Sequence, residues 1–183
     1  MAMSLDSDQE LRLVLIGKTG NGKSTLGNIL LGRQLFPTGR SIASTTLKLV
    51  TESGNVQGKR LKVFDTPDVS NMDLSEDEAQ REVAAWKTMT SPDAHATLLA
   101  VRCDVRYTRE EHQIFLLLKK LWGGNSLCKR LVCPELQSVL KDAGRRYVVF
   151  NNNASEEEKT ERVLQLLQVV ENMSKFLDED PVR

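Results

Sequence analysis

The stretch "LRLVLIGKTGNGKSTLGNILLG", Leu11 to Gly32, decides how the rest of this sequence is read. Residues 11–16 are short, apolar and stopped by Gly17, the pattern of a strand buried on both faces. Lys23–Leu31 reads as a helix that stops at Gly32. Between them, Gly17-Lys18-Thr19-Gly20-Asn21-Gly22-Lys23-Ser24 has the spacing of a Walker A loop. Its glycines let backbone N–H groups curl inward around phosphate oxygens. In that pattern Lys23 reaches the β- and γ-phosphates, and the Ser24 hydroxyl ligates Mg²⁺. The helix, with Thr25 in its first turn, aims its positive end at the same anion. The bland alternative is a Gly-rich strand–helix turn that binds nothing. The loop alone does not separate GTPases from ATPases or small-molecule kinases.

A length of 183 residues suits one domain with a real core. Formal net charge is zero, from 25 basic and 25 acidic side chains. Nothing global therefore draws the chain to nucleic acid or an anionic membrane. Aromatics are only 5%, which argues against an RNA-stacking surface. Cys103, Cys128 and Cys133 lack metal-ligand spacing and read as reduced thiols of a cytoplasmic protein. The polar start, residues 1–9, lacks the regions of a secretory signal. No apolar run reaches the ~20 residues of a membrane span. Ala2 excludes N-myristoylation.

Further along, residues 45–52 and 61–65 read as strands, with Ser53-Gly54-Asn55 as a hairpin turn between them. Residues 96–102 and 147–150 read as further strands. Helices are expected over 75–89, 108–122 and 155–177. Each opens with a capping box: Ser75/Glu78, Thr108/Glu111 and Ser155/Glu158. Val163, Leu166, Leu167, Val170, Met173 and Leu177 share one face of the last helix, at core-facing spacing. Alternating strands and helices predict an α/β fold with a mostly parallel sheet covered on both faces. The expected organisation is a flexible N-terminus over 1–10, a single domain over 11–178 and a short tail over 179–183.

A second phosphate-side element ends in Asp65-Thr66-Pro67-Asp68. An acid at the tip of this strand supports Mg²⁺ in P-loop proteins, which assigns Asp65 to that role. GTPases normally carry Gly where Asp68 stands. The Asp68 carboxylate would meet a triphosphate of like sign. The next residue, where some GTPases keep a water-orienting Gln, is Val69, and a hydrocarbon cannot position water. Slow hydrolysis is the expectation.

These blocks, together with "SPDAHATLLAVRCDVRYTREE", "PELQSVLKDAG" and "YVVFNNNAS", resemble the GTPases of immunity-associated proteins. That family, also called immunity-associated nucleotide-binding proteins, belongs to the septin/Toc-like branch of P-loop GTPases. The resemblance covers the chain from about Leu11 to Met173 and rests on several ordered blocks. It implies a Ras-like G domain, Mg²⁺-dependent GTP and GDP binding, and pairing of two copies across their nucleotide faces. It implies peripheral membrane association in longer forms. It matches Arg106 to an arginine offered to the partner's site for hydrolysis; read from the residues alone, Arg106 is equally a solvated charge. The family's first switch carries a Thr that meets Mg²⁺; Thr45 and Thr46 both qualify and Thr46 is favoured. Asn151 and Asn152 correspond to the loop near the guanine, although a polar turn also favours Asn. His95 reads as structural and His112 as solvated.

The chain departs from the family in one place. No Asn/Thr-Lys-x-Asp-like base-reading motif lies between Trp122 and Tyr147. The one strand-like run there is Arg130–Cys133. Either it forms a stunted strand or the sheet lacks a central one. Without the acid that reads the guanine edge, selectivity for guanine is lost while phosphate binding survives. Three readings follow: a slow nucleotide-controlled switch or scaffold, a pseudo-GTPase interaction module, and a P-loop kinase or ATPase. The last lacks an arginine-bearing lid.

Overall fold

The computed structural model describes residues 10–38, 49–68, 75–90, 94–122, 126–128, 141 and 146–178. Strand β1 (Leu11–Ile16) leads through the glycine loop into α1 (Lys23–Leu31). A hairpin of β2 (Val50–Val56) and β3 (Lys59–Asp65) follows, then α2 (Glu76–Met89), β4 (Ala96–Leu99), α3 (Arg109–Trp122), β5 (Ser126–Cys128) and α4 (Glu156–Asp178). The sheet order is β2-β3-β1-β4-β5. β1 runs parallel to β3 and β4, β4 runs parallel to β5, and only β2 is antiparallel. This is the expected α/β layout.

Side-chain alternation explains why both faces are covered. Leu11, Leu13 and Leu15 of β1 point to one face, where they meet Leu26 and Leu30 of α1 and Val163, Leu166, Leu167 and Val170 of α4. Val14 and Ile16 point to the other, against Val83 and Trp86 of α2 and Ile114 and Phe115 of α3. A central parallel strand has no solvent side, so its sequence is apolar at nearly every position. Val163, Leu166, Leu167 and Val170 of the α4 stripe are therefore core.

Four expectations need correction. The hairpin turns at Gln57–Gly58, both with positive φ (51° and 77°), not at 53–55. That is the two-residue geometry whose twist matches the strands it joins. Ser53, Gly54 and Asn55 instead pair with Lys62, Leu61 and Arg60. Leu31 packs over Gly54, at ordinary contact distance from where a Cβ would stand. Second, β4 ends at Leu99, although Ala100 still donates its N–H to Ile16 O at 2.7 Å. Third, the stunted strand forms at Ser126–Cys128, in register with Thr97–Leu99. Arg130–Cys133 lies outside the described residues. Fourth, residues 147–150 form no ladder among the described residues. A strand needs a partner edge, and β5 pairs over three residues only. Val148 and Phe150 nevertheless keep the strand-like alternation and bury against α4.

Capping follows the sequence at Ser75/Glu78 and Thr108/Glu111, where both reciprocal bonds form. At α4 the Ser155 hydroxyl accepts the Glu158 N–H at 3.2 Å. The carboxyl that this hydroxyl helps hold below the ordinary range is that of Glu157, after Glu157's own backbone N–H. Residues 1–9 and 179–183 lie outside the description, as do Thr45, Thr46, Val69 and Cys133. Cys103 is a free, exposed thiol. Among the described residues no helix is long and apolar enough to cross a membrane.

Candidate phosphate and metal site

The glycine loop sits where β1, β3 and β4 all end. Gly17 has a φ of 150°, and a Cβ there would stand 2.5 Å from Ala100 O. Only glycine lets the chain leaving β4 pass this close. Gly22, with φ 83°, caps α1 in the left-handed region. Between them the Asn21 N–H donates to Lys18 O at 3.1 Å and closes a turn.

Lys23 is buried, and its ammonium lies across the inside of the loop. Nζ donates to Gly17 O at 2.7 Å and Lys18 O at 3.3 Å. Burial lowers the Lys23 pKa, while Asp65 and Asp68 pull it back up. Ser24, one residue on, donates its hydroxyl to Asp65 Oδ2 at 2.5 Å. The other Asp65 oxygen, Oδ1, is buried and has no hydrogen-bond partner among the described residues. Burial pushes the Asp65 carboxyl up, opposed by the Ser24 hydroxyl and the charge of Lys23.

Both charged groups are thus held away from their preferred state. Lys23 needs an anion, and Asp65 needs a cation or another donor. An orphaned carboxylate oxygen beside a serine hydroxyl suits a hard divalent cation, which takes oxygen ligands and completes its shell with water and phosphate. Ser24 and Asp65 are the residues that would hold Mg²⁺. Among the described residues there is no group of three or more His, Cys, Asp or Glu that would cage a metal by protein alone.

Thr66 fixes the acidic strand tip at the loop: its N–H and hydroxyl both donate to Leu15 O, at 3.2 and 2.8 Å. This places Asp68, itself buried, against the loop. The Thr19 N–H donates to Asp68 Oδ2 at 2.5 Å. On the opposite side Asn21 Nδ2 donates to Ala100 O at 3.0 Å and to Glu111 Oε1 at 2.7 Å. Glu111 Oε2 accepts the Thr108 N–H at 2.7 Å. One buried carboxylate therefore joins the phosphate loop to the start of α3.

The remaining sequence candidates are placed as follows. Lys18 is partly exposed, 3.7 Å from Glu110. Thr19 and Gly20 are exposed, and Thr25 lies in the first turn of α1. The Asn152 amide lies 3.9 Å from where a Cβ on Gly22 would be, so it stands beside the loop. Asn151 Oδ1 accepts the Asn153 N–H at 3.0 Å, the local turn its residue type favours. Arg106 is exposed on the segment between β4 and α3. His95 is structural: its Nδ1 accepts the Arg12 N–H at 3.0 Å, and burial lowers its pKa. His112 is not simply solvated, because its ring packs between Tyr107 and Phe115.

Sequence reading missed three residues here. Glu111 was visible only as half of a capping box. Asp68 was visible only as a departure from glycine. Asn28 carried no signal beyond its helix. Its buried side chain accepts the N–H groups of Leu35 and Phe36 and donates to Gln34 Oε1 and Phe36 O. It holds the chain as it leaves α1.

The chain matches the AIG1 family over residues 11–133 and 127–182. It belongs to the AIG1 family. The two matched segments of this AIG1 chain meet in the stretch that lacks the base-reading motif. Among its relatives, Immune-associated nucleotide-binding protein 7 of Arabidopsis thaliana is 29% identical over 91% of this chain and 62% of its own length. Mouse GTPase IMAP family member 8 is 31% identical over 90% of this chain and 26% of its own. The chain thus spans less than two thirds of these relatives. Two solved structures share the fold. Toc33 of Arabidopsis thaliana in complex with GDP and Mg²⁺ has a TM-score of 0.52, with 19% identity over 91% of this AIG1 chain and 63% of Toc33. Era of Aquifex aeolicus bound to GDP and AlF4⁻ has a TM-score of 0.62, with 17% identity over 86% of this chain and 56% of Era. The fold is that of a Ras-like P-loop G domain.

Proposed function

We propose that this AIG1 chain binds Mg²⁺–GTP and Mg²⁺–GDP and acts as a slow nucleotide-controlled switch or scaffold. The observation that carries the reading is the Lys23–Ser24–Asp65 constellation, in which a buried ammonium held on the loop carbonyls of Gly17 and Lys18 stands with a carboxylate whose Oδ1 has no hydrogen-bond partner among the described residues. Lys23 and the loop N–H groups bind and orient the phosphates. Ser24 and Asp65 hold Mg²⁺, which neutralises phosphate charge when bound. In this reading Asn152, whose amide stands beside Gly22, faces the base.

Self-association through the nucleotide face belongs to the same proposal. For the Toc33 neighbour, dimerization is important for GTPase activity. Arg106, exposed and one short segment away from Glu111, is the residue available to a second copy. Slow turnover follows from Asp68 and Val69 standing where a glycine and a water-orienting side chain are expected.

A second reading is favoured by the split family match at the base-reading stretch: a pseudo-GTPase with weak, non-selective nucleotide binding. Titration of fluorescent GTP, GDP and ATP analogues with Mg²⁺, against wild type and Lys23→Ala, separates the two. The first reading expects guanine nucleotides to bind wild type and not Lys23→Ala. Equal binding of ATP supports the second. Undiminished binding to Lys23→Ala refutes the phosphate-loop assignment. Sedimentation with GDP and with a non-hydrolysable GTP analogue tests pairing; identical profiles count against a nucleotide-gated dimer.

A further inference from the structure

Asp68 does more than replace a glycine. The residue is 3% exposed, and its carboxylate is seated on the phosphate loop, where it accepts the Thr19 N–H at 2.5 Å. It is also close enough to Lys23 to act on that ammonium electrostatically. A loop N–H and the loop lysine are two of the groups that a nucleotide's phosphates use. The carboxylate therefore lies in the anion seat of the loop, supplied by the chain itself.

Which phosphate that seat serves follows from its neighbours. The Ser24 hydroxyl and Asp65 mark the metal position, three residues before Asp68. A metal held there would neutralise charge on the outer phosphates. The helix N-terminus at Gly22–Lys23 faces the inner phosphates. Thr19 lies on the other limb of the loop, beside the acidic strand tip, so its N–H belongs to the outer end of the nucleotide.

We infer that Asp68 occupies the terminal-phosphate seat and is the residue that sets the diphosphate-to-triphosphate preference of this site. The inference rests on the nucleotide-binding reading above. A diphosphate leaves the Thr19–Asp68 bond intact. A triphosphate must bring further negative charge to that position, and like charges in a desolvated site repel strongly. It must also displace the carboxylate from its N–H donor. The chain thus carries its own competitor for the γ-phosphate, and the two are mutually exclusive.

The test is isothermal titration of wild type, Asp68→Gly and Asp68→Asn with Mg²⁺–GDP and with a non-hydrolysable Mg²⁺–GTP analogue. Wild type is expected to bind GDP more tightly. Both substitutions are expected to raise the affinity for the triphosphate by about tenfold or more, with GDP changing far less. Asp68→Asn keeps the size and an acceptor for the Thr19 N–H while removing the charge, so it separates repulsion from bulk. A wild-type preference for the triphosphate overturns the inference without any variant. So does a triphosphate-to-diphosphate ratio that neither substitution moves. Absence of binding by either nucleotide to wild type and both variants, with circular dichroism showing them folded, overturns the nucleotide-binding reading itself.

Discussion

Glu111 offers a direct test of how the phosphate loop is held. Its carboxylate serves two donors at once: Asn21 Nδ2 on Oε1 at 2.7 Å and the Thr108 N–H on Oε2 at 2.7 Å. A glutamine in the same place presents one oxygen and one NH₂ group. It can satisfy one donor and must turn a donor towards the other. Hydrogen bonds to charged groups contribute about 1.5–3 kcal/mol each, and an orphaned buried donor costs about 1–3 kcal/mol. Glu111→Gln should therefore cost about 2 kcal/mol. Glu111→Ala should cost about 3 kcal/mol, since the reciprocal cap of α3, worth about 1 kcal/mol, is lost as well. In a domain of this size 1 kcal/mol moves Tm by about 2–4 °C, so both variants should melt measurably lower. Urea unfolding of wild type, Asn21→Ala, Glu111→Ala and the double variant closes a mutant cycle. A coupling of about 1 kcal/mol or more between positions 21 and 111 is expected. Additivity within about 0.5 kcal/mol would refute the claim that this carboxylate ties the loop to α3.

Three further outcomes are expected. The raised pKa of Asp65 lets protons compete with Mg²⁺ at a higher pH than for an ordinary carboxyl. Mg²⁺-dependent nucleotide affinity should thus begin to fall on acidification above pH 3.8, the ordinary aspartate value; Asp65→Asn should lose that dependence and gain stability without ligand near neutral pH, and a loss there contradicts the desolvation argument. The neutral His95 ring accepts the Arg12 N–H, and its pKa is lowered mainly by burial and then by Arg12. Its contribution to stability is present above the unfolded value of 6.5 and is lost as pH falls from there towards the folded value; thermal melts of wild type against His95→Ala should converge on acidification. Finally, Asn28→Ala orphans the Phe36 N–H, while the Leu35 N–H keeps its bond to Arg33 O, and should destabilise by about 2 kcal/mol, read by urea unfolding.

Local signals carried most of the fold. The Gly-x4-Gly-Lys-Ser spacing, the apolar run of β1, the Gly32 stop and the three Ser/Thr-led helix starts each act within a few residues. Their physical causes are dihedral freedom, side-chain period and orphan N–H groups, and these act the same way before and after folding. The misreadings at 53–55 and 147–150 have the opposite character. Ser53-Gly54-Asn55 looks like a turn until the register with Arg60–Lys62 makes it strand. Tyr147–Phe150 looks like a strand until the sheet provides it no edge among the described residues.

The sequence by itself determined that this chain would build a phosphate loop between a buried strand and a helix, because every element of that loop is contiguous. Only the tertiary structure decided what the loop touches. Asp68 meets Thr19 across 49 positions, and Glu111 meets Asn21 across 90. No local pattern encodes such pairs. They exist because parallel strands bring β1, β3 and β4 to a common end, and whatever follows each strand must share that small space.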